Sequence, residues 1–112
     1  MSQIIVVRQK ATDSEVAVML EALGEYIKLA VDVEKGIIAG GGELHADCEA
    51  ALLKEGSSQD NIWGADWYPR TKEVSFESLI NIRPRQNNRS MVIQDADLRA
   101  CVDKIVRGLL EV

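Results

Sequence analysis

Two short segments concentrate the residue types that could do chemistry. The first is Gly40-Gly41-Gly42-Glu43-Leu44-His45-Ala46-Asp47-Cys48-Glu49, which holds the chain's one histidine. Imidazole titrates near neutral pH, so a histidine oriented by a carboxylate is suited to general-base work. Histidine with two or three carboxylates also matches the ligand types of a divalent metal, but no second His or Cys stands at a recognised ligand spacing. Three glycines let backbone approach a ligand closely, and the free N–H groups of a helix start favour an anion. His45 and Glu49 are four residues apart and share a helix face. His45 is thus the candidate base or ligand, with Glu43 and Asp47 as candidate catalytic partners. The metal and any cofactor stay unknown.

The second segment is Ile80-Asn81-Ile82-Arg83-Pro84-Arg85-Gln86-Asn87-Asn88-Arg89-Ser90-Met91. Guanidinium forks at Arg83, Arg85 and Arg89 suit a carboxylate or phosphate, and Asn88 adds a neutral hydrogen-bonding group. These four are the candidate ligand-binding residues. Both segments also have structural readings. Glu43 and Asp47 complement a helix dipole. Arg83 can pair internally with Glu43 or Asp47.

Charge separates the two segments. Residues 1–60 carry 11 acids and 5 bases, residues 61–112 carry 7 acids and 8 bases, and the net charge is −5. That balance argues against a dedicated nucleic-acid-coating protein, whose affinity comes from phosphate neutralisation. Trp63, Trp67 and Tyr68 could stack bases, but two tryptophans on one strand face are more often core. Two cysteines do not make a disulfide scaffold and read as free thiols in a reducing cytoplasm. No signal peptide and no membrane span is expected.

The elements that must position these residues follow from periodicity. Gln3–Arg8 reads as a short buried strand. Thr12 and Glu15 form a capping box for a helix over about 13–23, closed by Gly24. From Tyr26 to Val33 the period is two, which predicts a half-buried strand; Ile37–Ala39 returns antiparallel, and the three glycines break it. A helix follows from about Glu43 to Lys54. Ile62–Tyr68 alternates with Trp63, Ala65 and Trp67 on one face. Val74 to Ile82 reads as a longer strand in a hairpin with it, stopped by Pro84. Asp95 caps a C-terminal helix striped by Leu98, Cys101, Val102, Ile105 and Leu109. The order β-α-β-β-α-β-β-α predicts one α+β domain over residues 1–112, with helices layered on a largely antiparallel sheet. Its first six elements match a ferredoxin-like, split β-α-β order.

Gly42-Glu43-Leu44-His45-Ala46-Asp47, Trp63-Gly64-Ala65 with Tyr68-Pro69, Ile80-Asn81-Ile82-Arg83-Pro84 and Asn88-Arg89-Ser90-Met91 together resemble a family of small bacterial and archaeal proteins of unknown function, also seen in cyanobacteria. The resemblance implies a stand-alone prokaryotic domain and transfers no activity, cofactor or site. The family tends to carry Gly where this chain has Asn87, a residue that tolerates positive φ. No P-loop, Gly-x-Gly-x-x-Gly, Gly-x-Ser-x-Gly or His-Glu-x-x-His is present. The expectation is a small-molecule or anion-binding pocket, hydrolytic in chemistry, built from Gly40–Glu49 and the Arg83–Ser90 loop. The alternative is a non-catalytic homo-oligomeric or partner-binding module using the Trp63/Trp67 face.

Overall fold

The computed structural model describes residues 3–112. The elements are β1 (Ile5–Val7), α1 (Asp13–Leu20), β2 (Ile27–Asp32), β3 (Ile37–Gly42), α2 (His45–Lys54), β4 (Ile62–Tyr68), β5 (Glu73–Ser75) and α3 (Ala96–Leu110). The strands form one sheet in the order β1-β3-β2-β4-β5, every neighbouring pair antiparallel. The fold is α+β with the element order expected. β1 and β2 flank β3, a split β-α-β unit bridged by α1. In the same way β3 and β4 flank β2 and are bridged by α2.

Both sheet faces are covered. Ile27, Leu29, Val31, Ile38, Trp63, Ala65 and Trp67 pack with Met19 of α1 and with Val102, Val106 and Leu110 of α3. On the other face Ala30, Ile37, Ala39 and Ile62 pack with Cys48 and Leu52 of α2. β2 is therefore buried on both sides, not half-buried as its alternation predicted. Small or internally bonded residues make this feasible: Asp32 is buried but accepts from the amides of Glu34 and Lys35 and from the Ser57 hydroxyl, at 2.9, 2.9 and 2.5 Å. Trp63 and Trp67 are 4% and 2% exposed beneath α3. The indole face expected as an alternative interface is thus occupied by the chain's own C-terminal helix.

Three element boundaries depart from the sequence reading. Helix α1 ends at Leu20, and Leu23 lies in a turn that Gly24 closes at φ +80° with its amide on Leu20 O. β3 runs through the three glycines instead of stopping before them. There the glycines make room for neighbouring side chains. A Cβ at Gly40 would stand 2.7 Å from Leu29 Cδ2, and Gly41 adopts φ +105° with the Gln3 carbonyl where a Cβ would project. The expected long strand over 74–82 ends at Ser75, and the chain turns instead through short 3₁₀ segments at Leu79–Asn81 and Pro84–Gln86.

Asn81 explains how the sheet tolerates that early stop. Its side chain is fully buried beside β4, where β5 no longer pairs. Oδ1 accepts from Gly64 N at 2.7 Å and Nδ2 donates to Gly64 O at 3.0 Å, with further contacts to the Phe76 and Met91 carbonyls. The amide satisfies the two edge groups a strand residue would have satisfied. No helix among the described residues is long and apolar enough to cross a membrane.

Candidate functional site

His45 opens α2, and its ring reaches across to β4. Nε2 lies 2.7 Å from Asp66 Oδ1 and 3.1 Å from the Ala65 carbonyl oxygen, with the two side chains 12% and 9% exposed. A carbonyl oxygen can only accept, so Nε2 carries the proton and donates to both. That fixes the neutral tautomer and leaves the lone pair on Nδ1. Nδ1 has no partner among the described residues, and no side-chain nitrogen or oxygen is both sealed and unpaired. Nδ1 therefore opens to solvent.

The pair forms one wall of a cleft of about 510 Å³, within the range of small-molecule sites. Tyr26, Lys28, Asp66 and Tyr68 supply its sheet side. They belong to the face of β2 and β4 opposite the tryptophans, at the end α2 leaves uncovered. Lys28 and Asp66 are directly opposite in the ladder, and the Tyr26 and Tyr68 rings stack at 5.0 Å. Leu44, His45 and Ala46 supply the helix side; Ser75, Glu77, Ser78, Leu79, Ile80 and Met91 close the third. Leu44 occupies the cap position of α2 without a side-chain cap, and Asp47 N is taken by Leu44 O at 3.1 Å, which leaves the amides of His45 and Ala46 as donors. Lys28 Nζ donates to Glu43 O at 3.0 Å. Burial first, then the Asp66 charge, raises the Tyr68 hydroxyl above its ordinary 10.0. It remains a protonated donor at neutral pH.

Beneath the cleft, Cys48 is buried with its thiol 3.4 Å from Lys28 O. Burial pushes that thiol up to about 11, so it is no nucleophile near neutral pH.

The carboxylates expected to serve His45 stand elsewhere. Glu43 and Asp47 are exposed on the outer side of the helix start, and the acid that holds the ring comes from β4. Glu49 turns to Arg83, whose Nη2 donates to Glu49 Oε2 at 3.1 Å. Arg83 also donates to Ile80 O and Gln59 O and lies 4.8 Å from the centre of the Trp63 ring. Arg83 does pair internally, with Glu49 as its partner and not Glu43 or Asp47. Burial lowers this guanidinium below its ordinary value, and Glu49 and Asp60 oppose the shift.

Arg83 and Arg85 line a separate cleft with Glu49, Gln59 and Asp60, and Leu79 and Ile80 form the ridge between the two. No arginine lines the His45 cleft. Arg89 is exposed and lines neither cleft. Asn88 is 4% exposed; its Nδ2 donates to the Asn81, Ser90 and Val92 carbonyls and its Oδ1 accepts from Gln94 N. Its amide is committed to the loop and has nothing left for a ligand. Asn87 adopts φ +61°, the left-handed conformation expected for a residue at a family glycine position. The two segments that sequence reading placed in one pocket therefore build two neighbouring features: a cleft walled by the His45–Asp66 pair, and an arginine-centred cluster.

What the geometry defines is a three-layer α+β protein with a His–Asp pair at the open end of one covered sheet face. The sequence profile of a family described as "Protein of unknown function (DUF5674)" matches residues 5–109. The chain belongs to that family, whose function is unknown. No curated protein and no solved structure matches it.

Proposed function

We propose that the cleft at the start of α2 binds a small molecule and that His45 is its acid–base residue. The observation that carries this reading is the 2.7 Å bond from His45 Nε2 to Asp66 Oδ1 in the wall of the cleft. That bond holds the ring and its tautomer while Nδ1 stays open. Asp66 acts as a positioning residue, and Nδ1 takes or gives the proton. Hydrolysis is the reaction class that asks least of such a site, because water is the only co-substrate. Nδ1 takes a proton from water as its oxygen attacks the electrophilic centre; the imidazolium then returns that proton to the leaving group. In this reading the amides of His45 and Ala46 and the Lys28 ammonium supply the donors for negative charge developing on the substrate oxygen. Two free cysteines, Cys48 and Cys101, suit a reducing compartment such as the cytoplasm.

A panel of small esters, amides and phosphoesters tests the chemistry, and amide NMR of the same samples locates binding. Substrate-induced shifts are expected at Tyr26, Lys28, Ala46 and Tyr68, with turnover reduced about 10²–10⁴-fold in His45→Ala. Shifts confined to the Arg83 cleft, or turnover unchanged in His45→Ala, would contradict the reading.

A further inference from the structure

We infer that the ligand of the His45 cleft is a small organic cation, an amine on an apolar or aromatic body, with its ammonium on Asp66 Oδ2. This rests on the cleft being the ligand site and adds the class of ligand.

Asp66 is the first ground. Its side chain is more than nine-tenths buried, and Oδ1 is taken by His45. Oδ2 has no partner among the described residues. Among the described residues no polar side-chain atom is both sealed and unpaired, so Oδ2 keeps some exposure, and Asp66 lines the cleft. A carboxylate oxygen on a mostly buried side chain has few routes to water, and a ligand N–H supplies the donor it lacks.

Charge is the second ground. Of the described residues lining the cleft, Lys28 is the only lysine or arginine, against Asp66 and Glu77. Lys28 sits across the ladder from Asp66, yet its Nζ goes to the Glu43 carbonyl and forms no ion pair with Asp66. The guanidinium forks that would grip an anion lie beyond the Leu79–Ile80 ridge or outside both clefts. The third ground is the rest of the lining. Stacked Tyr26 and Tyr68 stand at one end, and aromatic rings attract cations. Leu44, Leu79 and Met91, 58%, 71% and 37% exposed, form apolar surface for the ligand body.

Three probes of one shape separate the ligand classes: phenethylamine, phenethyl alcohol and 3-phenylpropionate, titrated into the intact chain and followed by amide NMR. The amine should bind at least about ten-fold tighter than the other two. Asp66→Asn keeps an acceptor for His45 and should weaken the amine by about ten-fold or more. Glu77→Gln, on an exposed side chain, should weaken it about three-fold, and Lys28→Gln should tighten it by a similar factor. The exposed Glu77 variant keeps the test valid should Asp66→Asn fail to fold. Equal or tighter binding of the carboxylate, unchanged amine affinity in Glu77→Gln, or binding of none of the three would overturn the assignment. A carboxylate preference would leave the cleft standing as a ligand site and remove only the amine.

Discussion

Asn81 stands in for a strand that the sheet lacks, and Asn88 locks the loop beside it by bonding the Asn81 carbonyl at 2.7 Å. Asn88 comes from the loop read as ligand-binding and Asn81 from the strand read before it, and both are spent on backbone. Replacing Asn81 with Ala leaves buried Gly64 N–H and C=O groups unsatisfied. Each such group costs roughly 1–3 kcal/mol. Urea unfolding of Asn81→Ala should therefore show a loss of about 3 kcal/mol, and a loss under about 1 kcal/mol would contradict the strand-substitute role. Cys48 supplies a pH prediction. Its thiol titrates at about 11 in the folded chain against an ordinary 9.0. The unfolded chain thus loses this proton first, so the contribution is intact below pH 9 and falls as pH rises through 11. The loss amounts to roughly 3 kcal/mol. Unfolding measured across this range should show that fall, and Cys48→Ala should remove it. A disulfide-exchange reagent at pH 8 should label half-buried Cys101 and leave Cys48 unreacted until unfolding.

At the scale of elements, helix starts were legible where a capping side chain precedes the helical period. Thr12 and Glu15 do form the capping box, with Glu15 N on Thr12 Oγ1 and Thr12 N on Glu15 Oε1. Asp95 caps α3 through the amides of Asp97 and Leu98. Glycine was misread because its two uses look alike in a sequence. In β3 it answers to crowding between layers, and at residue 24 it answers to a turn. Two substitutions separate the cases. Gly41→Ala places a methyl against the Gln3 carbonyl and Met19 Cα at positive φ, and should cost about 3 kcal/mol or prevent folding. Gly108→Ala, in helix α3 with nothing within 4 Å, should stabilise by roughly 0.5–1 kcal/mol. Thermal melts of the pair check both signs, and a neutral Gly41→Ala would contradict the packing account of β3.

At the scale of the whole molecule, half of the candidate site was legible. His45 stood out as the one histidine at a helix start, but its partner did not. The alternation of β2 and β4 marks an apolar face plainly, and the opposite face then reads as solvent. In the folded chain α2 covers that opposite face, and Tyr26, Lys28, Asp66 and Tyr68 line its open end. An acid between two tryptophans in a strand was the available signal for Asp66. Sequence distance hid it, since the partners are 21 residues apart and only the α2 crossover joins them. The charge asymmetry resolves in the same way. Arg83 neutralises Glu49, and the cleft beside it keeps an excess of acid.

Asp66 and the Ala65 carbonyl hold His45 as the Nε2–H tautomer with Nδ1 unbonded and open. Because the chain has one histidine, a long-range ¹H–¹⁵N NMR spectrum reads that ring without ambiguity. In the neutral ring it should show a protonated Nε2 and a lone-pair Nδ1. Nδ1 should respond when a ligand enters the cleft, and Nε2 should shift in Asp66→Ala. A ring protonated at Nδ1, or one indifferent to the loss of Asp66, would contradict it.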